Sequence, residues 1–422
     1  MSRIAIELPT LQNWTCHNCG GCCKQHAIFI TDEERERIES QGWDSDQIGA
    51  SQKDLVIEER SLTGKRTLRL AQEADGSCVF LDEKGLCRIH GKFGEPAKPL
   101  ACRIYPYAFH PKGDTVAVSL RFSCPSVTEN RGTPVRRQKK EIREIAELVV
   151  PEKATKFPAP AVIKRTKLHW DETLSIVNAI DQTLANDGAS VGVKVLRALS
   201  WLDLIAQTNF QNIRGERIDE LLEILTTAIE EELQELPELE NPSSLAMKQF
   251  RLLAGQYARK DTFASADRSF KGRWKQLRAA FRLTSGSGLT PAFGNELGEV
   301  PFSTLEKSFG PLPEESEELL TRYFRVKVQG LHFCGPAFYN MSVVEGFQSL
   351  AIVLPTTLWI ARWRASTNGR DQICHEDVRE ALQIVDHQHG YSEALGTWGA
   401  RKRVSTLAQM GQIPKLIAWA LK

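Results

Sequence analysis

Cys16-His17-Asn18-Cys19-Gly20-Gly21-Cys22-Cys23 places four cysteines within eight residues, and the reading of this stretch decides the character of the N-terminal region. Exposed thiols oxidise, so a solvated surface has no reason to gather them. Thiolates spaced by three residues can turn round one ion or cluster if the backbone between them bends sharply. Gly20 and Gly21 permit that bend, because glycine reaches positive φ without steric cost. Their N–H groups can also point at anionic sulfur and offset its charge. Cys22 and Cys23 are neighbours whose side chains are expected to diverge. At most one of them is then expected to join Cys16 and Cys19, and the other to serve a second centre or none.

Four more cysteines follow at wider spacing: Cys78, Cys87, Cys102 and Cys124. Only Cys334 and Cys374 lie beyond them, whereas an even spread of the ten would leave about three in the first third of the chain. The metal ligands predicted are therefore Cys16, Cys19, Cys22, Cys23, Cys78, Cys87, Cys102 and Cys124. Eight sulfurs suit one four-thiolate cluster with a second site, or two four-thiolate zinc ions. The competing reading makes some of them buried apolar residues, as free cysteines often are. Tight CxxCxxC runs, and a cysteine before proline as in Cys124-Pro125, favour an iron–sulfur cluster. Zinc is the alternative: its sites more often use two separated CxxC knuckles, but soft thiolates accept both metals. His90, three residues after Cys87, is read as a polar residue at a hairpin end rather than a ligand.

Around these cysteines the elements are short. Ala27 to Ile30 reads as a strand, and Thr31-Asp-Glu-Glu34 has capping-box spacing for a helix running toward Ser40 and stopping near Gly42. Thr67 to Ala71 alternates as a strand does. Cys78 to Leu81 and Leu86 to Ile89, joined by Lys84-Gly85, predict a hairpin, and Val116 to Leu120 a further strand. From Leu168 onward apolar residues recur at helical spacing, as in Ile176, Ile180 and Leu184. Helices are also expected at Pro313 to Phe333, Val343 to Ala365 and Asp377 to His387. The fold class predicted is α+β: a small cysteine-rich metal-bound domain at 1–130, a basic helix and Pro-rich linker at 131–160, and a mostly α-helical domain at 161–422.

The 422 residues carry 41% hydrophobic and 25% charged side chains, an ordinary globular balance that argues against disorder. Lys and Arg number 54 against 53 Asp and Glu, so overall charge gives no expectation of nucleic acid or membrane as partner. The first residues, MSRIAIELPTLQNW, lack the apolar core of a signal peptide. Leu350 to Ala361 is apolar but interrupted by Pro355, and far short of the about 20 residues a bilayer needs, so it is read as a buried core helix. A cytoplasmic location is expected, where thiols stay reduced and bind metal rather than pair.

The cysteine motifs also carry a family resemblance. The run Cys16-x-x-Cys19-x-x-Cys22-Cys23, then Cys78-Val-Phe-Leu81, Cys87-Arg-Ile-His90, Lys98-Pro99 and Cys102-Arg-Ile-Tyr105-Pro106 resemble the zinc- or iron-chelating cysteine-cluster family of the YkgJ type. With its long helical extension the layout is similar to the longer members named flagellin lysine N-methylases. For those, the resemblance implies methyl transfer from S-adenosylmethionine to a lysine of a protein substrate. The chain has no GxGxxG turn after a first strand, and Cys19-x-x-x-Cys23 is not followed by the third cysteine of a CxxxCxxC motif.

Weaker features remain. His332-Phe-Cys334, Cys374-His375-Glu376-Asp377 and Asp386-His387-Gln-His389 are polar clusters in the helical half. Their simplest reading is a helix whose first turn holds His375, Glu376 and Asp377 and whose end holds His387 and His389. Arg136, Arg137, Lys139 and Lys140 read as a solvated face mixed with Glu141, Glu144 and Glu147. Arg103, Tyr105 and Tyr107 read as packing beside the metal, and Phe338, Phe347, Trp359 and Trp363 as core.

Overall fold

The computed structural model describes residues 4–44, 48, 54–60, 66–151, 157–164, 166–259, 269–294 and 296–422. Two small three-stranded sheets form from β1 (Ile6–Glu7), β2 (Phe29–Ile30), β3 (Val56–Arg60), β4 (Arg66–Leu70), β5 (Tyr107–Lys112) and β6 (Thr115–Leu120). One has the order β2-β4-β3 and is antiparallel throughout; the other has the order β1-β6-β5, with β1 parallel to β6. Short helices α1 (Gly21–Gln25), α2 (Asp32–Glu39), α3 (Arg88–Phe93), α4 (Leu100–Ile104) and α5 (Pro125–Thr128) intervene, and α6 (Lys139–Val149) follows. The predicted α+β arrangement is what forms: small sheets first, then a mostly helical body.

That body comprises α7 (Trp170–Ala185), α8 (Val191–Gln207), α9 (Glu216–Glu232), α10 (Ser244–Ala258), α11 (Phe270–Ser285), α12 (Phe302–Leu305), α13 (Glu314–Gln329), α14 (Val343–Ala351), α15 (Val353–Thr367), α16 (His375–Gln388), α17 (Glu393–Gly396), α18 (Trp398–Gln409) and α19 (Gln412–Leu421). The stretch Val343–Thr367 is long and apolar enough to cross a membrane, but 89% of its most apolar window is buried inside the protein. Pro355 sits in the first turn of α15, where a missing N–H breaks no helical bond. Residues 152–156 of the predicted Pro-rich linker lie outside the described residues.

The capping box at the start of α2 forms as expected: Thr31 Oγ1 accepts from the Glu34 amide at 3.2 Å, and Glu34 Oε2 accepts from the Thr31 amide at 3.0 Å. The other carboxylate oxygen of Glu34 accepts from the Leu100 amide at 2.6 Å, tying α2 to the helix that carries Cys102. The predicted hairpin between Cys78 and Ile89 is corrected. A single bridge pairs Leu81 with Cys87, and the second arm becomes helix from Arg88. The Lys84-Gly85 turn forms, and Asp82 holds it by accepting from the amides of Lys84 and Leu86, but the chain turns helical at Arg88 with Ile89 buried in the smaller core.

Two hydrophobic cores result. The smaller gathers Ile28, Ile30, Ile38, Leu68, Leu70, Val79, Phe80 and Ile89 around buried Cys78. The larger runs through the helical body and includes Tyr107 of β5, Val116, Val118 and Leu120 of β6, Cys124, and Val127 of α5. The cysteine-bearing segments therefore lie between two packed cores.

Candidate metal centre

The CxxCxxCC run forms a tight loop leading into α1. Asn18 and Gly20 adopt positive φ, 58° and 67°. A Cβ on Gly20 would stand 3.4 Å from Leu81 Cδ1, so the loop rests on the turn between Cys78 and Cys87. Gly21 lies between sulfur and helix: its amide donates toward Cys19 Sγ at 3.5 Å, and a Cβ there would stand 3.4 Å from the same sulfur and 3.9 Å from Pro125 Cδ. His17 Nδ1 bonds Ser126 Oγ, which in turn donates to the Thr15 carbonyl at 2.8 Å, pinning the loop to α5.

Backbone pairing brings one distal cysteine to this loop. The Cys78 amide donates to the Cys23 carbonyl at 2.8 Å. Cys87 and Cys124 each occupy the residue before the first turn of a short helix, α3 and α5, and Cys102 lies within α4. Cys22 Sγ and Cys23 Sγ are 4.0 Å apart. This corrects the expectation that their side chains diverge: the first turn of α1 lets both face one way, near the roughly 3.8 Å between sulfurs on one tetrahedral zinc.

The thiols sense one another in two overlapping groups. Burial pushes the Cys78 thiol up to about 12, and the Cys87 and Cys22 sulfurs raise it further. Burial likewise raises Cys102, with Cys78, Cys87 and Cys22 adding to it while Lys98 opposes. Cys22 is held down to about 7, chiefly by the hydrogen bond from Cys23 and then by Lys98. Cys23, giving that bond, is pushed up. Around the loop, burial raises Cys19, with Cys22 and Cys16 contributing, and burial lifts Cys124 to about 11, with Cys19 contributing. Cys22, Cys23, Cys78, Cys87 and Cys102 thus form one neighbourhood, and Cys16, Cys19 and Cys124 the other, with Cys22 linking the two. Among the described residues no three His, Cys, Asp or Glu side chains are already posed as ligands round one point. What fits a metal is the donor set: eight soft sulfurs, of which burial opposes the ionisation of Cys19, Cys78, Cys102 and Cys124, a cost that a cation would offset.

Residues 15–130 match the family CxxCxxCC, described as "Putative zinc- or iron-chelating domain". Over 134 residues the chain is 40% identical to the "Flagellar biosynthetic protein FliU" of Salmonella muenchen, covering 77% of that protein and 30% of this chain. The chain belongs to the CxxCxxCC family. No solved structure matches it.

The CxxCxxCC unit meets the helical body through a buried polar layer. His26 stacks on His387 with ring centroids 4.7 Å apart and tilts against Tyr105 at 5.1 Å. The Arg121 guanidinium lies 3.6 Å from the Tyr391 ring centroid and donates to the His387 carbonyl at 3.3 Å. The Ser123 amide, beside Cys124, donates to Asp386 Oδ2 at 2.9 Å. Asp386 pairs with Lys327 at 2.6 Å, both side chains fully buried. Lys327 Nζ also reaches the Leu120 carbonyl at 3.2 Å and His332 Nδ1 at 3.1 Å. His110 stacks on His332 at 4.9 Å, and Tyr257 bonds His389 Nδ1 at 2.8 Å.

Sequence reading placed His375 at the start of a helix and His387 and His389 at its end, and α16 does hold His375 to Asp377 in its first turn and His387 in its last. It missed that His332, Asp386, His387 and His389 converge with His26, His110 and Arg121 from the CxxCxxCC side. The one available signal was Lys327, a charged residue in the apolar frame of α13. His90 sits exposed on α3, away from the role of hairpin end. Arg103 pairs with Glu95 at 2.9 Å, and Tyr105 and Tyr107 are packed with their hydroxyls pushed up by burial.

Proposed function

We propose that the chain is a thiolate-bound metalloprotein, holding an iron–sulfur cluster or zinc, that modifies a lysine-bearing protein of the flagellum in the cytoplasm. The observation that carries the metal reading is the meeting of Cys22 and Cys23, 4.0 Å apart at sulfur, with Cys78 bonded to the Cys23 carbonyl and Cys87 and Cys102 as electrostatic neighbours, beside the loop of Cys16 and Cys19. Ligands for one centre would come from that group, and for a second from Cys16, Cys19 and Cys124. A bound cluster would supply electron transfer, whereas zinc would supply Lewis acidity and cross-linking. This chain's own residues bend the loop at Asn18 and Gly20, exclude water through Leu81 and Phe80, and set positive charge nearby through Lys98.

The enzymatic part rests on the FliU relative and on the resemblance to flagellin lysine N-methylases. It names S-adenosylmethionine as methyl donor and a lysine of a flagellar protein as acceptor. A second reading is favoured by the size of the smaller core, whose few apolar residues invite a cross-link: the metal then only staples the fold.

Anaerobic purification separates the metals. Brown protein with iron and acid-labile sulfide supports the cluster; colourless protein with stoichiometric zinc supports the ion. Calorimetry with S-adenosylmethionine then separates enzyme from staple. Saturable heat followed by methyl transfer to flagellin supports the enzyme, and no heat at high protein concentration removes it.

A further inference from the structure

α11 packs with its small residues and Leu283 inward and its other large apolar residues outward. Gly272 and Leu283 are buried and Ala279 and Ala280 half-buried against α10, where a Cβ on Gly255 would come within 2.3 Å of Leu283 Cδ1. Phe270, Trp274, Leu277 and Phe281 are 77%, 55%, 64% and 77% exposed among the described residues. With 3.6 residues per turn these four fall within about 60° of arc, opposite Gly272, Ala279 and Leu283.

Charge follows the same helix. α11 carries Lys271, Arg273, Lys275, Arg278 and Arg282 and no carboxylate. Arg282 pairs with Glu299 at 2.5 Å. Lys271, Lys275, Arg278 and Arg282 project along one flank of the apolar stripe and Arg273 along the other. α18, packed on the same α10, adds the 80% exposed Trp398 with Arg401, Lys402 and Arg403, again without a carboxylate. The near-neutral total hides this segregation, because α9 carries Glu216, Asp219, Glu220, Glu223, Glu230, Glu231 and Glu232 against Arg217 alone.

We propose that α11 docks the protein on an anionic lipid surface, with Phe270, Trp274, Leu277 and Phe281 among the headgroups and its Lys and Arg side chains at the phosphates. A ridge of Trp, Phe and Leu flanked by basic residues is the pattern of a helix lying in the membrane interface, where aromatic rings settle and long cationic side chains reach outward. Pairing of α11 with a second copy along this stripe would bring five basic residues against five. The inference is independent of the metal's identity.

The test is co-sedimentation of the full, metal-loaded chain with vesicles of phosphatidylcholine alone and of phosphatidylcholine mixed with phosphatidylglycerol. Binding to the mixed vesicles, weakened by salt, is expected. The triple variant F270S/W274S/F281S should bind about tenfold more weakly or worse, as loss of the apolar anchors requires. R273E/R278E should lose the preference for phosphatidylglycerol. All five positions are on the solvent side, and unchanged circular dichroism and metal content verify folding. The proposal is overturned if neither vesicle binds, or if wild type and triple variant sediment alike. It is equally overturned if the variants alter only self-association in ultracentrifugation, or if an acidic amphipathic peptide engages α11 while vesicles do not.

Discussion

The amide of Cys78 donates to the carbonyl of Cys23 at 2.8 Å, so the last residue of the CxxCxxCC run and the first distal cysteine share one backbone hydrogen bond. That bond brings the buried Cys78 sulfur beside the Cys22 and Cys23 thiols. Replacing Cys78 or Cys19 by serine keeps the shape and removes a soft ligand, so metal per chain should fall sharply and the N-terminal region should lose stability. Cys334→Ser should leave metal content unchanged, because Cys334 is buried in the larger core. Elemental analysis of the three variants checks both halves.

Gly85 provides a test that removes no ligand. It sits at φ 78°, and a Cβ there would stand 3.1 Å from the Asn18 carbonyl, in the middle of the cysteine loop. Gly85→Ala should cost roughly 1 kcal/mol from the left-handed backbone alone. The contact with Asn18 should also push the loop off its support. Competition with a chelator is expected to strip metal from this variant at lower chelator concentration than from the wild type.

The buried Lys327–Asp386 pair lies within the helical body and reaches the CxxCxxCC side through the Leu120 carbonyl and the Ser123 amide. Removing one partner leaves a charge without compensation, a loss of about 3–5 kcal/mol in comparable buried pairs. Lys327→Met should therefore lower the urea midpoint strongly, and Lys327→Met with Asp386→Leu should recover much of the loss. Equal destabilisation of single and double variants would show that the pair is not what holds this seam.

Acid should loosen the same seam. Burial, reinforced by Lys327, holds His389 down to about 3 and His332 well below its ordinary value. Both are neutral in the fold but take up a proton near pH 6.5 when unfolded. Below that pH the unfolded state binds more protons, so stability should drop by about 1.4 kcal/mol per pH unit for each histidine until the folded value is reached. Thermal unfolding between pH 7.5 and about 5 reads this directly. His389→Phe should flatten the slope.

The capping box at Thr31, the β6 strand and the periodic helices were legible because each follows from local spacing. The cysteine-cluster family was legible from the motifs, since four cysteines in eight residues have few other uses. The pairing of Cys22 with Cys23 was not, because it depends on α1 starting at Gly21 and turning both side chains the same way. The second arm of the Cys78 hairpin misled: Leu86 to Ile89 alternates like a strand, but tertiary packing of Ile89 into the smaller core makes it helix. The polar layer was invisible because His26, Arg121, Lys327 and Asp386 are far apart in sequence, and only folding sets their charges face to face. The exposed stripe of α11 was hidden differently, as apolar periodicity reveals a face but not whether that face is covered.

The central claim is that these sulfurs hold a metal. Elemental analysis of anaerobically purified, folded protein, with acid-labile sulfide measured on the same sample, tests it most directly. The account predicts iron with sulfide, or zinc, bound in at least stoichiometric amount and lost in Cys78→Ser. Folded protein containing neither iron nor zinc, with all eight thiols freely titratable, would contradict it.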